Sequence, residues 1–222
     1  MFNILSTYSG SEAIIISIAF FIAILFSLAL HEFGHAFVAY KQGDITAKSY
    51  GRLTINPFAH VDPMGMLMLI VFGFGWAKPV PVNPIKFKNY RKGIFLVSIA
   101  GISVNLILFI LFTFIYALMM TQIIPLDLNT SLGLFVFVLV QLFAGINLSL
   151  AAFNLIPVAP LDGFNIMNVL FKKSNKYIEF VARYGQIILL VLLLSGLLTK
   201  YIELMYNVVF TPLLTLFINV LT

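Results

Sequence analysis

The feature that most restricts the fold of this chain is a series of long apolar stretches with few or no charged residues. Residues 13–30 and 93–126 contain no Asp, Glu, Lys or Arg. A soluble domain averages about 25% charged residues, whereas this chain has 9%, with 61% hydrophobic residues and a mean hydropathy of +1.06. Stretches of this kind predict membrane-crossing helices, so we expect an integral membrane protein.

The pattern of these stretches predicts an all-α polytopic membrane protein that forms one domain over residues 1–222. Five stretches are long enough for full transmembrane helices, since a helix needs about 20 apolar residues to cross the bilayer core. The predicted core covers roughly residues 13–173 and is followed by C-terminal helices within 177–220. The five predicted spans are residues 13–40, 94–120, 131–155, 177–198 and 201–220.

Residues 63–77 form an uncharged run of only 15 residues, which is too short for a confident span. We expect a re-entrant or short hairpin segment there, with other parts of the protein covering its backbone polar groups. Residues 47–55 have partial strand character, and the prolines within residues 79–84 favour an extended backbone. The sequence therefore predicts small extended strands on either side of this segment.

The distribution of basic residues predicts how the chain is oriented. The chain has 13 Lys and Arg residues and a net charge of +5. Lys200 alone falls in the turns on one side of the predicted spans, and the other twelve lie on the opposite side. Because cytoplasmic loops carry the excess of Lys and Arg, the N-terminus is predicted outside and the C-terminus inside. The charge is interpreted as orientation and lipid contact, and no nucleic-acid partner is expected.

A candidate metal motif lies near the end of the first span, where residues 31–35 read His31-Glu32-Phe33-Gly34-His35. Residues four apart share a helix face, so the two imidazoles can bind one cation. Zn²⁺ suits two neutral imidazoles, and Glu32 is placed to act as a general base. A histidine on an apolar face is more often packed or hydrogen-bonded, but three ionisable residues within a membrane span indicate a functional site.

A catalytic zinc site takes a third protein ligand. The chain has no Cys, and its one other histidine is His60. Asp162 stands out among the remaining candidates, because the 34 residues before it carry no charge and a carboxylate there is costly unless it is paired or bound to a cation. The carboxylates predicted toward the cytoplasmic side are Asp44, Asp62, Asp162 and Glu179.

Residues 154–163 read Asn-Leu-Ile-Pro-Val-Ala-Pro-Leu-Asp-Gly. Together with the motif at residues 31–35, this segment resembles the site-2 protease family of intramembrane zinc metalloproteases, peptidase family M50. The resemblance covers roughly residues 13–173. It implies Zn²⁺ held by His31, His35 and Asp162, with Glu32 as the catalytic base and Asn154 binding or polarising the substrate. Residues 74–82 resemble the compact bacterial and archaeal members that lack a PDZ domain.

Three further polar residues each have two interpretations. Asn105 is kept in a segment where many members have A-G-P-x-x-N, although Ile102 replaces the Pro; it is either a packing residue or a residue supporting the metal ligands. His60 is either a loop histidine bonded to Asp62 or to backbone, or a supporting residue or alternative metal ligand. Asn154 could also be an interhelical hydrogen-bonding residue.

The expected function is hydrolysis of peptide bonds in or near transmembrane segments of membrane-protein substrates, at a prokaryotic cell membrane and toward its cytoplasmic face. Residues 48–55 and 80–84 are expected near the active site, where they could pair with unwound substrate. The alternative is a non-proteolytic membrane metal-binding protein or a metal transporter. Transporters usually carry polar residues at several depths and in paired repeats, whereas here they gather at one depth.

Overall fold

The computed structural model describes residues 10–72, 75–171 and 176–222. Five of its helical segments are long and apolar enough to cross a membrane, which confirms the predicted number of spans. The last of these spans, Leu197–Leu221, contains a π-helical turn at Tyr206–Phe210 between two α-helices. The helices in chain order are α1 (Ser11–Lys41), α2 (Thr46–Ser49), α3 (Pro63–Phe72), α4 (Tyr90–Met120), α5 (Ser131–Leu155), α6 (Asp162–Leu170), α7 (Lys176–Leu194), α8 (Leu197–Met205) and α9 (Thr211–Leu221).

The core is a bundle of α1, α4 and α5, which contact one another more than any other helices. Capping side chains define where two of them begin. The Asn89 side chain accepts a hydrogen bond from the backbone N–H of Lys92 at the start of α4, and Thr130 accepts one from Gly133 at the start of α5. Such caps satisfy backbone donors that have no partner within the helix.

Small side chains allow α1 to approach its neighbours closely. The residues of α1 that are fully buried are Ala19, Ala23, Ser27, Ala29, Ala36 and Ala39. Without a hydrophobic driving force between helices in lipid, close packing of small residues is a main source of helix association. Larger side chains of α1, such as Ile14 and Phe26, are exposed, where lipid would cover them.

The predicted strands are wrong, because no strand occurs in the described ranges and Val61 and Ala77 form only an isolated antiparallel bridge. The stretch with strand character instead begins as the helical turn α2. The carboxylate of Asp44 accepts hydrogen bonds from both the backbone N–H and the hydroxyl of Thr46, and such a local bond favours a turn over a strand. Gly51 then ends the turn at a φ of +65°.

The segment predicted as a hairpin begins with α3, a helix of 10 residues, which at about 1.5 Å per residue is too short to cross a bilayer. The chain then returns, since the N–H of Lys78 donates to the carbonyl of His60 at 2.9 Å. A Cβ on Gly65 would lie only 2.1 Å from the carbonyl oxygen of Trp76. Glycine therefore allows the two arms of the segment to meet. Phe74, part of the segment that resembles the compact members, lies outside the described residues.

The C-terminal helices pack onto the bundle less tightly. Ile178 and Val181 of α7 are buried against Val158 and Phe164, close to the start of α6. The predicted turn between the last two spans lies slightly earlier than expected, at Gly196, whose φ is +73°. Helix α7 therefore covers the segment that leads into α6.

Candidate metal centre

Helix α1 places the imidazoles of His31 and His35 one turn apart on the face that meets α4. Their Nε2 atoms are 3.0 Å apart. The Oδ2 atom of Asp162 lies 3.5 Å from Nε2 of His31 and 3.3 Å from Nε2 of His35. Two imidazoles and a carboxylate, separated by more than 120 residues of sequence, thus converge on one point.

Asp162 reaches this point because the chain turns sharply after α5. Helix α5 ends at Leu155, and Asp162 is the first residue of α6. A Cβ on Gly163 would lie 2.4 Å from the carbonyl oxygen of Leu155, so only glycine lets the start of α6 pack against the end of α5. The carboxylate is therefore directed back into the bundle, where only 9% of the residue is exposed.

The three side chains fit a zinc ion. Zinc bonds of about 2.0–2.1 Å in tetrahedral geometry place ligand atoms about 3.3 Å apart, which is close to the three distances in the cluster. The Oδ2 atom of Asp162 is buried and accepts no hydrogen bond from the described residues. A buried carboxylate oxygen without a partner is costly, and a cation between it and the imidazoles would remove that cost.

The other ring nitrogen of each histidine faces an oxygen atom. Nδ1 of His31 lies 2.6 Å from Oδ1 of Asn105, and Nδ1 of His35 lies 2.8 Å from the carbonyl oxygen of Val97. An imidazole whose Nδ1–H donates to an oxygen keeps a lone pair on Nε2 for a metal. Both rings can therefore direct their Nε2 lone pairs toward Asp162.

Glycine at position 101 makes room for the two rings. A Cβ on Gly101 would lie 2.6 Å from Cε1 of His31 and 2.6 Å from Nε2 of His35. These contacts are shorter than van der Waals distance, and the rings are held by the bonds described above. Any larger residue at this position of α4 would therefore push the imidazoles out of place.

Glu32 lies beside the cluster on the wall of a cavity of about 460 Å³. Its Oε2 atom accepts a hydrogen bond from the backbone N–H of Val80 at 2.8 Å. Val80 belongs to the irregular segment 78–83, which forms another part of the same wall. Other polar residues that line the cavity are Ser98, Asn154, Asn165 and Asn168. A cavity of this size and polarity can hold water next to the carboxylate of Glu32.

Comparison with known proteins decides the family. The family model of peptidase family M50 matches residues 120–194. The chain is 43% identical over 177 residues to "Putative zinc metalloprotease YwhC" of Bacillus subtilis, covering 79% of this chain and 80% of that protein. The chain belongs to peptidase family M50. It is also 30% identical to "Putative zinc metalloprotease Rip2" of Mycolicibacterium smegmatis, over 82% of this chain and 69% of that one.

A more distant relative of this M50 peptidase is "Zinc metalloprotease MJ0392" of Methanocaldococcus jannaschii, with 28% identity over 82% of this chain and 44% of that protein. No solved structure matches the chain. The family, the relatives and the five apolar helices together identify a membrane zinc metalloprotease with zinc as its cofactor. The bacterial relatives favour a prokaryotic origin.

The structure separates the two remaining polar candidates of the M50 peptidase. Asn154 lines the cavity, and its side-chain amide donates one hydrogen bond to the carbonyl of Leu150 in its own helix at 3.0 Å. His60 is buried away from the cluster, with Nε2 at 2.9 Å from the carbonyl oxygen of Thr54. The group with metal-ligand spacing in the described ranges contains His31, His35 and Asp162 and does not include His60.

Sequence reasoning missed Gly101, Asn147 and Ser27, which all lie at or behind the metal site of this peptidase. The last two are fully buried polar residues in apolar helices, and polar residues in such helices tend to be functional. The signal available from the sequence was the presence of Asn147, a polar residue, within an apolar stretch. Nothing in the sequence reveals that Gly101 faces two imidazoles, since this depends on how α1 crosses α4.

Proposed function

We propose that this peptidase hydrolyses peptide bonds in or near the transmembrane segments of membrane-protein substrates. The observation that carries the proposal is the position of the cluster: its two histidines lie on the apolar span α1, and its three residues border a polar cavity. His35 precedes the end of α1 at Lys41 by six residues, or about 9 Å along the helix. Substrate would thus be cut below the membrane surface but within reach of water.

In this proposal His31, His35 and Asp162 hold zinc, which when bound polarises water and the scissile carbonyl group. Glu32 accepts a proton from the attacking water on its carboxylate and passes it to the nitrogen of the leaving amine. The carboxylate lies on the cavity wall, which gives it access to both. The Asn154 amide, on the same wall, would bind the substrate carbonyl through its second N–H.

The segment 78–83 is proposed to support unwound substrate. Its residues Pro79, Val80 and Val82 line the cavity, and the guanidinium of Arg52 donates to the carbonyl of Lys78 to hold the segment in place. A transmembrane helix hides its carbonyl groups in internal hydrogen bonds, so it must unwind before hydrolysis. An irregular backbone beside Glu32 can offer replacement hydrogen bonds to the unwound stretch.

The expected partners are a substrate transmembrane helix and the surrounding lipid. The excess of Lys and Arg in alternate loops supports an outside N-terminus and an active site toward the cytoplasm. The alternative of metal transport is not favoured, because the group with metal-ligand spacing in the described ranges is one cluster, with Glu32 beside it on the wall of the same cavity.

The test replaces Glu32 by Gln in the reconstituted protein. The variant keeps the shape of the side chain but cannot accept a proton, so we expect zinc content to stay at the wild-type level and cleavage to be lost. Zinc content is measured by mass spectrometry. Cleavage is measured with a model membrane substrate that has a single transmembrane span. Ile107→Ala, an exposed residue of α4, is the control. Wild-type activity in Glu32→Gln would refute its role as the base, and cleavage of soluble peptides alone would refute the intramembrane substrate.

A further inference from the structure

A chain of buried amides runs from His31 across the helix bundle. Oδ1 of Asn105 faces Nδ1 of His31 at 2.6 Å, and Nδ2 of Asn105 donates to Oδ1 of Asn147 at 2.7 Å. Nδ2 of Asn147 donates to the hydroxyl of Ser27 and to the carbonyl of Phe143, both at 2.8 Å. Asn105, Asn147 and Ser27 are fully buried, so the network links α4, α5 and α1 behind the metal site.

The direction of each hydrogen bond in this network follows from the acceptor farthest from His31, the carbonyl of Phe143. The carbonyl of Phe143 can only accept, so the NH₂ group of Asn147 must face it. The carbonyl oxygen of Asn147 then points toward Asn105 and requires the NH₂ group of Asn105. The carbonyl oxygen of Asn105 consequently faces His31, and a carbonyl oxygen accepts only from a ring nitrogen that carries a proton.

We propose that Asn147 is a positioning residue of the metal centre, which orients the Asn105 amide and thereby holds His31 as the tautomer protonated on Nδ1. Nε2 then presents a lone pair toward Asp162. The inference rests on the proposed zinc site, and it assigns a role to a residue that touches neither His31 nor Asp162. Without the carbonyl of Asn147, the Asn105 amide could rotate by 180° and present its NH₂ group to the ring, which favours the wrong tautomer.

The wild-type protein tests the tautomer without any substitution. The chain has three histidines, so ¹⁵N-labelled imidazoles give few signals, and the His31→Gln variant assigns those of His31. In the metal-free protein at mildly alkaline pH, we expect a proton on Nδ1 of His31. A proton-free Nδ1 would overturn the inference, because the Asn105 carbonyl would then have nothing to accept.

The second test measures the zinc dissociation constant of the purified protein by competition with a chelator. Asn147→Leu has a similar volume but removes the carbonyl that orients Asn105, and we expect the dissociation constant to rise about 10- to 100-fold, the usual cost of losing a group that supports a metal ligand. Thr113→Val is the matched control. It removes a fully buried hydrogen-bonding group of the neighbouring helix α4, the hydroxyl that donates to the carbonyl of Phe109, and should leave zinc affinity unchanged.

A double-mutant cycle separates orientation from packing. In Asn105→Asp both side-chain oxygens accept, so rotation no longer changes what His31 faces. Adding Asn147→Leu in that background should not weaken zinc binding further, although the same change weakens it in the wild type. An equal loss in both backgrounds would show that Asn147 acts by packing alone and would overturn the inference.

Failure of the inference can be told from failure of the proposed zinc site. If the wild type binds zinc and Asp162→Asn abolishes binding while Asn147→Leu leaves it unchanged, the site stands and the positioning role falls. If the wild type and Asp162→Asn bind zinc equally, the site itself is wrong, and the positioning role falls with it.

Discussion

At the scale of single residues, the candidate metal centre depends on a glycine beside the ligands as much as on the ligands themselves. His31, His35 and Asp162 bring together three atoms that could hold a metal ion, and the two imidazoles fit only because α4 carries glycine at position 101. The rings are also held from behind by Asn105 and by the carbonyl of Val97. Such fixed rings cannot move aside without losing a hydrogen bond.

We therefore expect Gly101→Ala to weaken zinc binding by about 5- to 150-fold, since forcing a methyl group into a packed site costs about 1–3 kcal/mol. The measurement is the zinc dissociation constant of the purified protein by chelator competition. Ile107→Ala, on the exposed side of the same helix, serves as the control. Unchanged affinity in Gly101→Ala would mean that the rings are not held against α4 as the structure has them.

At the scale of elements, the loop before α4 is tied to the end of α1 by one buried carboxylate. Asp44 is fully buried, and its Oδ2 atom accepts from the backbone N–H of Asn83 at 2.6 Å. Its Oδ1 atom accepts from Thr46 and lies 3.8 Å from Nζ of Lys86. Because segment 78–83 borders the cavity, the position of this loop bears on the proposed substrate site.

Asp44→Asn should loosen this loop, because an amide has one acceptor oxygen and its NH₂ group would face a backbone donor. The expected cost is about 1–3 kcal/mol, measured as faster hydrogen exchange at the backbone N–H of Asn83. Lys88→Gln, an exposed change in the same loop, should leave exchange unchanged. Protection equal to wild type in Asp44→Asn would show that the carboxylate does not anchor the loop.

The same carboxylate predicts a pH dependence. Burial opposes the charged form of Asp44, but the bonds from Asn83 and Thr46 and the charge of Lys86 outweigh it and lower its pKa below the ordinary 3.8. A lowered pKa in the folded state means that the carboxylate stabilises the fold above the ordinary value and stops doing so as pH falls through the lowered one. The quantity to follow is the ratio of the hydrogen-exchange rate at the Asn83 N–H in the wild type to the rate in Asp44→Asn. This ratio should stay low at pH 5 and rise below about pH 4. A pH-independent ratio would contradict this.

At the scale of the whole molecule, zinc would join two parts of the bundle. His31 and His35 belong to α1, and Asp162 begins α6 beyond the end of α5. A metal that binds only the folded protein stabilises it by about 2.7 kcal/mol at a free concentration 100 times its dissociation constant. We expect a chelator to lower the thermal unfolding temperature of the wild type and to have no effect on Asp162→Asn. An equal shift in both proteins would place zinc elsewhere.

Orientation in the membrane can be tested cleanly because the chain has no Cys. A single Cys introduced as Leu128→Cys, in the turn before α5, should react with a membrane-impermeant thiol reagent from outside intact cells. Lys88→Cys, in the basic loop before α4, should react only after the membrane is opened. Both positions are exposed. The reverse pattern would invert the predicted topology.

The sequence by itself determined the five membrane-crossing helices and the candidate residues of the site. Five apolar stretches require helices, because a backbone in lipid must satisfy its own hydrogen bonds, and the spacing of His31 and His35 places both on one face of a helix. Asp162 was singled out because the 34 residues before it carry no charge. These conclusions rest on local spacing and on the cost of burying ionisable groups, which are properties of short segments.

Tertiary structure decided the rest. The predicted strand at residues 47–55 begins instead within the helical turn Thr46–Ser49, whose first backbone N–H donates to the buried carboxylate of Asp44, a contact that strand propensity does not record. The meeting of Asp162 with the imidazoles, the space left by Gly101 and the link from Asn105 to Asn147 depend on how three helices cross. Such contacts join residues far apart in the chain, and their geometry is set by packing of whole helix faces.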